Sequence, residues 1–216
     1  MEERKKRVTA PRIAATLSAL LAGATLYTVS GSERQGIQVM EYDAATEAAD
    51  STIMVYMNGS DLEGDYGAAT ADLQEMMAAL VKMGQEGRAP SLHVVVEAGG
   101  STRWELEEMD GVSYARFVLT EDGVSAMEPM EIRNMGEADT LTDFINYGVQ
   151  SYPASHYGLI LWNHGGGPVG GYGSDSHFGG DGLSLEEIRE AADHSVMADS
   201  AFDFVAFDAC LMGSVE

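Results

Sequence analysis

Apolar positions along this chain repeat at two different periods, and the alternation between them lays out the fold. "TIMVYM", residues 52 to 57, is a β-branched apolar run that stops at the turn-forming "NGSD", which predicts a buried strand. Residues 69 to 84 place Leu73, Met76, Met77, Leu80 and Val81 at helical spacing and close on Gly84. "LHVVVEA", residues 92 to 98, predicts a second buried strand. In "STRWELEEMDGVSYARFVL" alternating segments flank Asp110-Gly111, which predicts a hairpin turning at that pair. Residues 139 to 151 predict a helix capped by Asp139 or Thr140, with Leu141, Phe144, Ile145 and Val149 on one face. A strand at 157 to 163 and a glycine-rich loop follow. A helix from about Ser184 to Met197, opened by the capping box "SLEE", and a strand at 203 to 209 complete the order.

Strands alternating with helices predict an α/β fold, a mainly parallel sheet with helices on both faces. In such sheets, sites form beyond the carboxyl ends of the strands. Those ends are Asn58, Glu97, His164 and Cys210. Two of them follow one design. "LILWNHGGG" is an apolar run ending on His164, and "VAFDACLMG" is an apolar run ending on an acid and Cys210. Taken singly, such a histidine can cap a turn and such a cysteine can be inert packing. As a pair on adjacent strands, roughly 5 Å apart, they fit the reach of an imidazole relaying the proton of a thiol that attacks a carbonyl. Gly165 lets the backbone approach a substrate, and its N–H, with that of Cys210, is a candidate oxyanion donor. His164 precedes Cys210 by 46 residues, close to the roughly 50 of caspases.

Composition adds charge and compartment. The chain has 216 residues with 35 acidic and 12 basic side chains, a net charge of −23. The first 34 residues hold six of the bases and three of the acids, leaving 32 acids against six bases beyond them. This excess repels nucleic acid and favours cationic partners. A single cysteine excludes an internal disulfide framework. "MEERKKR" followed by the uncharged, largely apolar residues 13 to 29 predicts an export signal, either cleaved after Ala22-Gly23-Ala24 or retained as a membrane anchor. Residues 1 to 29 are thus a signal peptide or anchor, 30 to 50 a linker, and 51 to 216 the folded domain, secreted or held at the cell surface.

The segments "TIMVYMNGSDLE", "NMGEADTLTDFINYGVQSYPASHYGLILWNHGGG" and "FDFVAFDACLMGSVE" together resemble the clostripain family of cysteine peptidases, from about residue 51 to the last. That resemblance implies a caspase-like three-layer fold shared with gingipains and legumains, and a His164/Cys210 dyad acting through a thioester acyl-enzyme. It implies protein or peptide substrates cut after arginine or lysine, with Asp208, two residues before the cysteine, selecting the basic side chain. A buried carboxylate opposite a guanidinium is the physical basis of that choice. The chain ends six residues beyond Cys210, so the C-terminal strands of such a sheet are expected to be missing from it, and activity of these residues alone is not expected. Activating cleavage beyond the histidine occurs after a basic residue in relatives, yet residues 165 to 188 contain none.

No cofactor is required for the implied chemistry. Calcium is compatible with Asp175 and Asp181, although no D-x-D-x-D-G loop is present. His164, His177 and Asp175 could imitate a zinc site, but there is no H-E-x-x-H and no second cysteine, so no metal site is assigned. "GGGPVGGYGS" lacks the Gly-Lys-Ser/Thr end of a phosphate loop and is expected to form a lid or cleft wall. Another function class stays open: a non-catalytic cell-surface binding protein on the same fold, capturing cationic peptides on its acidic face.

Overall fold

The computed structural model describes residues 48–87 and 91–213; the expected export segment and most of the linker lie outside them. Among the described residues, six strands form the main sheet in the order β4-β3-β2-β1-β5-β8. They are β1 (Ala49–Asn58), β2 (Leu92–Gly99), β3 (Ala115–Thr120), β4 (Gly123–Pro129), β5 (Ala154–Trp162) and β8 (Phe204–Asp208). The β2–β1, β1–β5 and β5–β8 pairs are parallel, and β2–β3 and β3–β4 are antiparallel. The expected mainly parallel sheet is thus present, with an antiparallel hairpin at one edge.

Both faces of the sheet are covered, which is why its central strands read as unbroken apolar runs. Successive residues of β1 go to opposite sides. Met54 and Tyr56 join Leu141, Phe144 and Ile145 of the helix α3 (Ala138–Ser151) in one core. Val55 and Met57 join Ala69 and Leu73 of α2 (Ala68–Gln85) in the other. Against the first core also packs α5 (Leu185–Asp193), opened by the expected capping box: Ser184 Oγ accepts from the Glu187 N–H, and Glu187 accepts from the Ser184 N–H. This helix ends at Asp193, earlier than expected, and turns follow to Ser200.

The hairpin turns elsewhere than expected. Asp110-Gly111 follows a short 3₁₀ turn at Glu107–Met109, while β3 and β4 reverse at Glu121-Asp122, where Thr120 pairs with Gly123. The alternation ahead of Asp110 belongs to a loop whose Trp104, Leu106 and Met109 are buried in the core, so it carries the apolar pattern of a strand without its ladder.

Other elements escape the apolar pattern. The short helix α1 (Ser60–Tyr66) closes on Gly67, whose left-handed φ of 62° suits glycine. Buried Glu63 accepts hydrogen bonds from the N–H and hydroxyl of Thr70 at 2.9 and 2.6 Å and from the Glu105 N–H at 2.6 Å, tying α1, α2 and the loop together. The glycine-rich stretch holds α4 (Gly167–Gly170) and leads into a small antiparallel pair, β6 (Tyr172–Asp175) and β7 (Asp181–Leu183).

One buried ionic network crosses the parallel and antiparallel parts of the sheet. Glu97 accepts from the Tyr114 hydroxyl and, at 2.5 Å, from Arg116 Nε. Arg116 reaches on to Asp143 at 2.7 Å, where Arg133 also binds at 2.6 Å. Burial pushes the Glu97 carboxyl above its ordinary range in spite of Arg116. Burial also acts to raise Asp143, but Arg116 and Arg133 hold it below the usual carboxylate range. Removing one partner of a buried pair strands the other charge. Arg116→Met is therefore expected to cost about 3–5 kcal/mol in urea unfolding at neutral pH. Because Glu97 binds its proton more tightly folded than unfolded, part of that loss should be recovered as pH falls toward about 4.

Candidate active site

The pairing of β5 with β8 builds the site. Their parallel register sets Gly158 opposite Phe204 and Trp162 opposite Asp208, each pair 46 residues apart. His164 and Cys210 each lie two residues past the last pair, with that same separation. The spacing read in the sequence is thus the register of the two strands, and both residues leave the sheet at its carboxyl edge. The thiol is exposed, and the His164 side chain retains 45% of its accessible surface.

Backbone geometry beyond the two strands is tight. Leu211 adopts φ 62°, in the left-handed region that a branched side chain seldom enters, so the chain turns sharply after Cys210. A methyl group on Gly165 would overlap the Cys210 carbonyl oxygen and the Met212 side chain. Glycine is required there by the approach of the two strand ends to each other. Gly165 also bridges to Tyr172. The hydrogen bonds of that bridge are donated by the N–H groups of Gly166 and Gly173, at 2.8 and 3.0 Å, and not by that of Gly165. Fully buried Tyr172 sets its hydroxyl 2.9 Å from the Tyr56 carbonyl and 3.0 Å from that of Trp162, sharing one proton between the ends of β1 and β5.

The imidazole has a partner that the sequence reading did not single out. His164 Nε2 lies 2.9 Å from Asp61 Oδ1, in the first turn of α1. The preceding Ser60 holds φ 46° while buried, and its hydroxyl donates to Asp61 Oδ1 at 3.0 Å. Asn163 Nδ2 donates to the Asn58 carbonyl and, at 2.9 Å, to Ser60 Oγ. The hydrogen bond to His164 is the main cause that lowers the Asp61 carboxyl below its ordinary range, with Ser60 adding to it and slight burial opposing it. Asp61 is therefore ionised at neutral pH, and the favourable contact is lost only as pH falls through that lowered value. Its place in "NGSD" looked like a turn, and only a contact across 103 residues shows it facing the histidine.

The remaining strand ends and candidates divide. Asp208 closes β8 with an exposed side chain, in contrast to the buried carboxylate expected from the resemblance, because β8 has only β5 beside it among the described residues. Asn58 is buried beneath the site, and Glu97 is withdrawn into its ion pair. His156 lies at the other end of β5, 2.8 Å from Asp203. His177 stands 3.5 Å from buried Asp175, which accepts from the N–H groups of Met135 and His177. The structure thus pairs His164 with Asp61 and His177 with Asp175, so the three residues considered for zinc do not form one group. Among the described residues no group of three or more His, Cys, Asp or Glu is arranged to hold a metal ion. None of the described helices is long and apolar enough to cross a membrane. Trp104 and Trp162 are both buried in the second core. An exposed thiol one strand from an imidazole that is itself held by a carboxylate is the set of groups that nucleophilic acyl transfer uses.

Comparison with known proteins covers the same part of the chain. The sequence profile of the clostripain family matches residues 55–216. Clostripain of Hathewaya histolytica is 30% identical over 192 residues, covering 76% of this chain and 34% of the relative. A secreted C11 cysteine protease from Bacteroides thetaiotaomicron, solved with an irreversible peptide inhibitor, superposes with a TM-score of 0.55 at 23% identity, over 76% of this chain and 44% of that one. A second X-ray structure of a secreted C11 cysteine protease from that organism, iotapain, gives a TM-score of 0.54 at 16% identity, over 78% and 48% of the two chains. The chain spans about a third to a half of the length of these relatives. The mainly parallel sheet is the fold of the solved proteases, and with the profile running from β1 to the last residue, the chain belongs to the clostripain family.

Proposed function

We propose that this chain carries the nucleophile and base of an exported cysteine endopeptidase that cleaves after arginine or lysine. The observation that carries the reading is the register of β5 and β8, which brings an exposed Cys210 and His164 to one edge of the sheet. In this reaction His164 takes the thiol proton, and the Cys210 sulfur attacks the scissile carbonyl. The tetrahedral oxyanion collapses as the C–N bond breaks, and the imidazolium gives its proton to the leaving amine. Water, deprotonated by the same imidazole, then hydrolyses the thioester and restores the thiol.

The oxyanion is assigned to the N–H groups of Gly165 and Cys210. The first is left out of the bridge to Tyr172, and the Gly165 backbone lies against that of Cys210. Asp208 is assigned to the basic side chain of the substrate, since an exposed carboxylate two residues before the nucleophile can take a guanidinium through two parallel hydrogen bonds. Export rests on the basic and apolar N-terminal pattern, and the Bacteroides relatives are described as secreted.

The test is labelling with a peptidyl acyloxymethyl ketone bearing arginine at P1, against the same probe bearing aspartate, on this chain and on a longer product of its gene. Arginine-selective labelling that Cys210→Ala abolishes is expected; labelling that survives this change excludes Cys210 as the nucleophile. Asp208→Asn should lower labelling by the arginine probe about tenfold or more while leaving iodoacetamide alkylation unchanged. Gly165→Ala, whose methyl displaces the Cys210 backbone, should slow labelling about tenfold or more with the circular dichroism spectrum retained.

A further inference from the structure

Three adjacent parallel strands end in an acid, a base and a thiol. Asp61 follows β1, His164 follows β5 and Cys210 follows β8, and these strands neighbour one another in that order. The contact between the first two is built into the fold. Two consecutive residues after β5 clasp two consecutive residues at the start of α1: Asn163 donates to Ser60 Oγ at 2.9 Å, and His164 meets Asp61 at 2.9 Å. Asn163 and Ser60 are 3% and 1% exposed, so the inner half of the clasp is buried and fixed. Ser60 pays for its place with a left-handed backbone, φ 46°, the kind of local strain that persists where surrounding structure enforces it. A helix start that only had to cap β1 would not need a strained, buried serine one residue before a carboxylate aimed at the imidazole.

We propose that Asp61 is the positioning residue of the site: it holds His164 as the tautomer with its proton on Nε2 and so leaves Nδ1 as the base that faces Cys210. This rests on the His164/Cys210 reading above and adds to it a third group and the identity of the basic nitrogen. A carboxylate accepts only, so the imidazole nitrogen beside it must carry the proton. The other nitrogen then offers its lone pair. As the thiol proton moves to Nδ1, the imidazolium that forms already has a carboxylate at its far side, and its ring does not rotate away from the sulfur. The role is one of orientation, since Asp61 acts through its contact with the imidazole.

The experiment is long-range ¹H–¹⁵N correlation of the imidazoles in this chain, with the His164 signals identified by their loss in His164→Ala, alongside the rate at which iodoacetamide alkylates Cys210. The wild-type protein should show His164 protonated at Nε2 in its neutral form, and Asp61→Ala should lose that preference and alkylate about tenfold more slowly. Asp65→Ala, an exposed acid on the same helix, should leave both readouts unchanged. A wild-type His164 carrying its proton on Nδ1 overturns the proposal without any variant having to fold. So does an Asp61→Ala protein that alkylates at the wild-type rate when His164→Ala slows the reaction. If His164→Ala also reacts at the wild-type rate, the dyad itself falls, and the tautomer still decides the role of Asp61: Nε2–H supports it and Nδ1–H overturns it.

Discussion

Everything at the candidate site depends on one parallel ladder, the pairing of β5 with β8. A strand has a side-chain period of two, so a slip of one residue would turn each side chain to the opposite face. Such a slip would also bury Asp208 or expose Leu161, and it would carry Cys210 out of step with His164. The register is held from both directions. Leu159 and Leu161 insert into the first core, while Trp162 packs in the second and donates to Asp72 at 2.5 Å. Beyond the last rung, the Asn163 N–H still bonds to the Asp208 carbonyl at 3.3 Å, so the strands stay together up to the residues with chemical potential.

Two acid clusters in this chain show how environment sorts carboxylates into different tasks. Glu97, inside β2, and Asp61, three residues beyond β1, both face a nitrogen base. Glu97 is fully buried, with its charge matched by Arg116 and its second oxygen bound to Tyr114, so it joins the helix α3 side of the core to the antiparallel hairpin. Asp61 keeps its contact with water, and its partner is an imidazole, the one side chain type that ordinarily gains and loses a proton near neutrality. A guanidinium does not release a proton under these conditions. A carboxylate near the carboxyl edge of the sheet therefore serves cohesion in one place and holds an imidazole in the other.

Much of the architecture was legible because burial on both faces leaves a simple trace. Runs such as "TIMVYM" and "LHVVVEA" could only be central strands, and the capping box at Ser184 is a local device that needs no tertiary information. The constant spacing of His164 and Cys210 was legible too, since parallel strands joined by one crossover keep a fixed offset. What the sequence hid was non-local. Asp61 meets His164 only after β1 and β5 pair, and a carboxylate in "NGSD" carries no mark of that. The hairpin was misplaced because two Asp-Gly pairs compete, and the loop before the first buries Trp104, Leu106 and Met109 at spacings that imitate a strand. The β6–β7 pair went unseen because its residues are mostly glycine and polar, and its pairing is enforced by Tyr172 reaching under the sheet.

Strand β8 leads to the thiol two residues beyond its end, yet among the described residues it has a single strand neighbour. Phe204 and Val205 near its start remain partly open to solvent. Elements with one ladder and partial cover open at lower free energy than the strands at the centre of a sheet. Opening of β8 would separate the sulfur from the imidazole while leaving β1, β5 and the Asp61 clasp in place. Among these residues, reactivity at Cys210 would then depend on how firmly β8 is docked on β5, and any further segment that pairs with the outer edge of β8 would act on the thiol without touching it.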